Sequence, residues 1–396
     1  MKTSMGSLLK KYLFCVHALL SSLLLFCPLS MSAQKAQVGV VGELDLHLDN
    51  ETAPPPSFGS SFQYCEDRKA IVYYNRITNA LKYFDYKTGK GVGQTQFAKQ
   101  GPDDIGPDPY YFHYHNKDSI FILSRGTNFS MFLMNSEGKK LNTFHYSSDD
   151  YSKVRYPSAS TLFGALVVRP PFVYIGLEIS DKEEQNKVAP IIKLDMSNDT
   201  FEYLKAPLPY QGFDVRSTVW NNFYYFYNCR ITQNTKNGDV IISFPLDHNV
   251  YRLRNGIVEK LDGKSDAIGE FHFLERKRPI VYDPNNIDVH AIGFSSARYY
   301  GVLYNPYKDL YYRVGVVEKG KNTYRRLLAG EEVRDPFMYS VTVFDADFNK
   351  LSDGIIDGWH ALLDRGIFVT PDGLSGPQHS VKGEDIMGIS FIGLKK

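Results

Sequence analysis

Short apolar and aromatic runs recur along the chain, and each ends in a cluster of Asn, Asp, Gly or Pro. Ala70-Ile71-Val72-Tyr73-Tyr74 leads into a polar stretch at 75–79. Leu81-Lys82-Tyr83-Phe84-Asp85-Tyr86 follows, and Lys87-Thr88-Gly89-Lys90 turns the chain again. Runs this short, rich in β-formers and bounded by turn residues, predict antiparallel strands joined by hairpins. The arrangement returns to the end of the chain, with few windows that read as helix. The strands that precede these turns align at Phe84, Leu133, Leu194, Arg252, Phe344 and Phe391. Several strands per unit at a degenerate period of about 40–60 residues suggest propeller blades. The stretch between Arg252 and Phe344 is longer than the others, so it carries insertions or hides a further blade; 267–278 and 325–333 read as short helices.

One segment stands outside this repeat. From Val38 to Leu48, Leu44, Leu46 and Leu48 alternate with Glu43, Asp45 and His47, the period of a half-buried strand. It is expected to pair with the last blade near 386–394 and so close a ring. The fold expected is an all-β, single β-propeller over residues 34–396, with six blades and seven as the alternative. Two packed β-sandwiches would need a linker, and Pro54-Pro55-Pro56 lies too near the start to be one.

The first 33 residues follow a different pattern. Lys2, Lys10 and Lys11 precede an apolar run from Tyr12 to Leu29, then Ser30-Met31-Ser32-Ala33-Gln34. A basic start, an apolar centre and small residues before a polar one make a secretory signal peptide. Cleavage after Ala33 leaves Gln34 first; cleavage after Ser32 better fits the small-residue rule. The run approaches the length of an uncleaved membrane anchor, but Pro28 and the small residues after it favour cleavage. Cys15 and Cys27 each follow a Phe where a lipobox wants a small residue. Export to the periplasm or the outside is therefore expected, with a lipid anchor as the lesser alternative.

Charge removes one class of partner. With 45 Lys+Arg against 44 Asp+Glu, the formal charge is +1. Loss of residues 1–33 takes three Lys and no acid, which turns +1 into −2. Nucleic-acid binders draw affinity from phosphate neutralisation, and no basic block is present to supply it. The same cleavage removes Cys15 and Cys27 and leaves Cys65 and Cys229. In an exported chain these two form one disulfide or remain two buried thiols. Aromatic residues are 14% of the chain, with 28 Tyr and 26 Phe, which adds weight to β structure.

Gly101-Pro102-Asp103-Asp104-Ile105-Gly106, Tyr311-Tyr312-Arg313, Tyr339-Ser340-Val341-Thr342-Val343-Phe344-Asp345 and the tail from Gly366-Ile367-Phe368-Val369 to Asp385-Ile386 resemble exported β-propellers of Bacteroidetes. The group they are similar to is a domain-of-unknown-function family of TolB-like six-bladed propellers, many of them lipoproteins. The resemblance covers most of the chain after the signal peptide and implies fold and compartment. It implies no activity.

Motifs for catalysis are largely missing. Gly293-Phe294-Ser295-Ser296-Ala297 and Gly388-Ile389-Ser390-Phe391-Ile392 both lack the final Gly of a nucleophile elbow. No HExxH, P-loop or GxGxxG is present. In Tyr111-Phe112-His113-Tyr114-His115, His113 and His115 fall on one strand face. They are weak candidates for a metal, because no third ligand is identified; no cofactor is expected. Asp345-Ala346-Asp347-Phe348-Asn349 starts like a calcium loop, but Lys350 and Ile356 occupy the positions that need Gly and Glu, so a hairpin turn explains it better.

The candidates for ligand binding are aromatic platforms, Trp220, Tyr224, Trp359 and His360, with Arg169 and Arg298 as anion or hydroxyl donors. Most aromatics of a propeller belong to its core, and most arginines to its rim. The expected function is non-catalytic recognition, a monomeric scaffold binding a glycan or a protein of the bacterial envelope. A propeller hydrolase or lyase acting on carbohydrate is the alternative; it would need His113 or His360 within hydrogen-bond reach of a carboxylate.

Overall fold

Both faces of nearly every blade are covered by a neighbour, which is why the sequence shows apolar runs where a half-exposed sheet would alternate. The computed structural model describes residues 36–52, 62–106, 108–125, 130–146, 155–157, 166–179, 191–204, 229–269, 271, 297–318, 323, 326, 331, 337–356, 366–378, 383 and 385–395. Residues 36–396 form one compact unit. The first 33 residues, expected to be a signal peptide, lie outside the described residues. Among the described residues no helix is long and apolar enough to cross a membrane.

The first strand is β1 (Gln37–His47). Blade 1 follows as β2 (Phe62–Cys65), β3 (Ala70–Asn75), β4 (Ala80–Asp85) and β5 (Gly91–Gln96). Blade 2 is β6 (Asp108–Asn116), β7 (Ser119–Arg125), β8 (Ser130–Met134) and β9 (Lys140–His145). In blade 3 the inner strand is split: β10 (Arg155–Pro157) and β11 (Leu166–Arg169) pair with opposite ends of β12 (Phe172–Ile179), which β13 (Ile191–Asp195) and β14 (Thr200–Leu204) continue. Blade 4 is β15 (Arg230–Gln233), β16 (Val240–Ser243), β17 (Asn249–Arg254) and β18 (Ile257–Asp262). Blade 5 is β19 (Arg298–Asn305), β20 (Leu310–Glu318), β21 (Phe337–Phe344) and β22 (Lys350–Ile355). Blade 6 is β23 (Phe368–Thr370), β24 (Gly373–Pro377) and β25 (Ile386–Lys395), completed by β1.

Each blade-to-blade interface holds one apolar cluster, and alternate residues of a strand serve opposite neighbours. Ala70, Val72 and Tyr74 of β3 pack with Phe112, Ile120 and Ile122 of blade 2. Ile71 and Tyr73 point the other way, into Phe368, Met387 and Ile389 of blade 6. The remaining interfaces join blades 2 and 3, 3 and 4, 4 and 5, and 5 and 6. These contacts run in a closed circle of six, and the expectation of six blades holds. The long stretch after Arg252 spans the connection 263–297 and the connection 319–336, on either side of β19 and β20.

Closure is by the first strand. β1 pairs antiparallel with β25 from Gln37↔Lys395 to His47↔Ile386, with a bulge between Val40 and Gly42. Leu46 is fully buried in the interface of blades 6 and 1, and Val38 in that of blades 5 and 6. The next blade receives this strand closely: the His47 amide donates to the Gly89 carbonyl at 2.9 Å. Gly89 has φ of 66°, and a Cβ there would fall 1.7 Å from the Asp45 carbonyl oxygen.

The inner strands β2, β6, β11, β15, β19 and β23 surround the axis: β15 contacts β11 and β19, β19 contacts β23, and β2 contacts β23 and β6. The segments leading into each inner strand, and the connections between second and third strands, end on one face of the ring. That face, hereafter the loop face, is where the strands flanking the long segments 205–229, 263–297 and 319–336 end. The opposite face takes the turns between first and second strands, such as 66–69, 117–118 and 306–309.

Candidate functional site

Two inner strands of neighbouring blades, β15 and β19, begin at the loop face with an arginine. Arg230 is 5% exposed and Arg298 is 7% exposed, a degree of burial that Arg reaches only when its guanidinium is well bonded. One residue serves both. Arg230 Nε donates to the Tyr300 carbonyl at 3.1 Å, and Arg298 Nη2 lies 3.0 Å from the Tyr300 hydroxyl with its guanidinium carbon 5.1 Å from that ring's centre. Further contacts engage both arginines. The result is one half-buried tyrosine held at two points, its hydroxyl and ring by Arg298 and its backbone carbonyl by Arg230, where two inner strands begin at the loop face.

Behind this cluster stands a third arginine with a structural task. Arg313 of β20 is 0% exposed. Its Nη1 donates to the carbonyls of His248 and Gly263, and its Nη2 to that of Asp247, at 2.5, 2.8 and 2.5 Å. The guanidinium lies 3.5 Å from the centre of the Tyr299 ring, and the Tyr299 hydroxyl meets His248 Nδ1 at 2.9 Å. Burial first, then the charges of Lys264 and Arg313, hold the His248 imidazole below its usual range. This cluster ties blade 4 to blade 5 and supports the strand from which Arg298 and Tyr300 project.

The residues expected to form one ligand site are divided by the fold. Arg298 stands at the loop face. Trp220 and Tyr224 belong to the segment leading into β15, and Trp359 and His360 to the segment leading into β23; all four lie outside the described residues. Arg169 is a correction. It ends β11, at the opposite face, where its Nη1 donates to the Gly238 carbonyl at 3.3 Å and links the turns of blades 3 and 4. An inner strand's last residue cannot share a mouth with another inner strand's first.

The two cysteines are likewise separated. Cys65 packs between blades 1 and 2 and Cys229 between blades 3 and 4, and both are buried free thiols. A bond between them would have to cross the ring, so the disulfide alternative is set aside. Burial pushes both thiols above their usual range.

His113 and His115 do share a face of β6, with ring centres 6.2 Å apart and planes at 30°. His113 also lies 6.5 Å from the Phe121 ring. Burial, and secondarily the neighbouring His115, push His113 down to about 3, and burial lowers His115 as well. Among the described residues no group of three potential metal ligands comes together, and the pair has no third partner there. The acidic run at 345–349 is a hairpin turn: Asp345 Oδ1 accepts the amides of Asp347 and Asn349 at 3.0 and 2.8 Å.

Arg230 was not singled out from sequence. A signal was available, because Arg230-Ile231-Thr232 and Arg298-Tyr299-Tyr300 both open a strand after a long segment. Arg313 had a clearer one, a single charge inside the apolar run Leu310–Val317.

The comparisons with known proteins agree with the architecture. The chain matches the family described as domain of unknown function DUF4221 over residues 40–353. A crystal structure of a DUF4221 member from Bacteroides vulgatus ATCC 8482 superposes with a TM-score of 0.67 at 14% identity, covering 91% of this chain and 99% of that one. An exported-protein candidate from Bacteroides fragilis NCTC 9343 superposes with a TM-score of 0.50 at 9% identity, covering 91% and 96%. At such identities the likeness is one of fold. No curated protein matches the sequence. The family match spans most of the chain and every blade but the last, and the protein is a six-bladed propeller of the DUF4221 family.

Proposed function

We propose that this protein is an exported, non-catalytic recognition propeller that binds a glycan of the envelope at the channel mouth of its loop face. The observation that carries the reading is the half-buried Tyr300 at the loop face, with Arg298 on its hydroxyl and Arg230 on its backbone carbonyl. Guanidinium N–H groups donate to sugar hydroxyls and carboxylates, and aromatic faces stack on sugar rings. Trp220, Tyr224, Trp359 and His360 are the aromatic platforms of this reading, since the strands flanking their segments end at this same face. Arg169 takes no part. Export rests on the N-terminal segment and on the likeness to an exported-protein candidate.

The test is binding of residues 34–396 to an array of bacterial and host glycans, read beside a pull-down from envelope extracts. The expected result is a specific glycan that loses affinity about tenfold in Arg298→Gln, the scale of one charge-assisted hydrogen bond. A protein partner with no glycan hit would replace this reading with that of a scaffold. Turnover of the bound glycan would replace it with the hydrolase or lyase.

A further inference from the structure

We infer that a pocket between blades 1 and 2 binds the oxyanion group of a sugar-sized ligand, with Arg76 and Lys99 as its cationic donors. The cavity holds about 300 Å³ and is lined by Tyr74, Arg76, Asn79, Lys99, Gly106 and Pro109. That volume suits a monosaccharide and lies at the small end of ligand pockets. Two of the six lining residues are cations and none is an acid. The site is independent of the channel mouth, which lies at blades 4 and 5.

The walls are fixed before any ligand arrives. Tyr74 donates its hydroxyl to Asn79 Oδ1 at 2.5 Å, and Asn79 Nδ2 donates to the carbonyls of Phe97 and Ala98 at 3.3 and 3.2 Å. This side chain, on a backbone with φ of 58°, fastens the β3–β4 connection to the segment that enters blade 2. Lys99 Nζ donates to the Ile77 carbonyl at 3.2 Å, which holds the ammonium over the same connection. The far wall is the Gly-Pro-Asp-Asp-Ile-Gly loop, 101–106. Asp104 Oδ1 accepts the Gly106 amide at 2.8 Å, and Asp103 Oδ1 accepts the Lys140 amide at 2.9 Å. Asp103 and Asp104 thus each place one oxygen on a backbone amide.

Arg76 and Lys99 are exposed, with Arg76 engaged in a further contact and Lys99 on the Ile77 carbonyl, and an anion bound at such a site would be sensitive to salt. A planar guanidinium beside an ammonium is suited to a carboxylate or a phosphate. An acidic sugar and a sugar phosphate present that shared chemistry, and the experiment separates them.

Residues 34–396 are titrated by calorimetry with glucuronate, glucose 6-phosphate and glucose. The expected result is one bound anion per chain, with glucose weaker by about tenfold or more and the anion weakened in about 0.5 M salt. Preference for glucuronate assigns a carboxylate, and preference for glucose 6-phosphate a phosphate. Arg76→Gln with Lys99→Gln is expected to lose about tenfold or more in affinity at an unchanged unfolding midpoint, with Lys99→Gln alone as the milder variant. Arg298→Gln, in blade 5 and outside this lining, leaves this binding intact whatever becomes of the glycan site proposed at Tyr300. Failure of both anions to bind, or binding that survives loss of both cations, would overturn the inference.

Discussion

Tyr307 meets Tyr64 edge-on, with ring centres 5.6 Å apart and planes at 85°, although one belongs to blade 5 and the other to blade 1. Blade 6 lies between them, so the contact bridges over its inner strand at the face of short turns. Glu66 accepts a hydrogen bond from the Tyr307 hydroxyl; burial first, then this bond, raise the phenol above its usual range. On the same face the Tyr86 hydroxyl of blade 1 donates to Asp372 of blade 6 at 2.7 Å.

Tyr307→Phe should therefore lower stability by about 1 kcal/mol, the net value of one hydrogen bond. Tyr307→Ala, which also removes the ring contact, should cost about 2 kcal/mol. Urea midpoints measure both, and a double-mutant cycle with Glu66→Gln isolates the coupling. An unchanged midpoint in Tyr307→Ala would show that the contact between blades 5 and 1 holds nothing together.

Arg313 is a support, and its removal should show in stability before it shows in binding. Arg313→Ala strips donors from three buried carbonyls and leaves a void beside Tyr299, for a loss of about 3 kcal/mol or more. Arg313→Lys should recover only part, since one ammonium cannot reproduce the planar fork. Full stability of the lysine variant, read by thermal or urea unfolding, would contradict the packing described.

A chain of residues 34–396 should show two thiols and no disulfide. Cys65 and Cys229 are expected to react with a thiol reagent only after unfolding, because both are buried and burial disfavours the thiolate. Mobility without reductant should equal mobility with it. A reductant-dependent band, or a thiol count below two in denaturant, would refute the separation of the pair.

His113 gives stability a dependence on pH with a definite sign. Its folded value, about 3, lies below the ordinary 6.5, so the unfolded chain takes up this proton first. The contribution is complete above about pH 6.5 and is lost as pH falls towards 3. His115 and His248, also lowered by burial, act in the same direction. Urea midpoints at pH 7.5 and pH 5 should differ less in His113→Gln than in the parent chain; an equal drop in both would remove His113 as a cause.

The third strand of each blade was the legible one. Phe84-Asp85, Met134-Asn135, Leu194-Asp195 and Phe344-Asp345 each end an apolar run on a side chain that accepts amides of the following turn, and this couples a core signal to a turn signal at one place in the chain. All six sequence anchors fall on third strands. The inner strands were harder to see. β23 has 3 residues and β15 reads Arg-Ile-Thr-Gln, because a strand beside the axis has one wall without apolar cover. The ligand candidates were the least legible. Whether an arginine begins an inner strand, as Arg298 does, or ends one, as Arg169 does, decides its face of the ring, and local sequence does not carry that topology.

The pairing of β1 with β25 also sets an order of events. A chain made from its N-terminus presents residues 37–47 first and their partners, 386–395, last. Until then β1 is an apolar edge with nothing to pair with, and the cluster around Leu46 lacks Met387 and Ile389. Contacts this distant in sequence form slowly, and unpaired edges invite association with other chains. Blades 1 to 5 have their strands in hand long before the ring is sealed. Folding must therefore end at the seam where the chain begins, and a truncation of the last ten residues would leave every copy with two open edges able to join its neighbour.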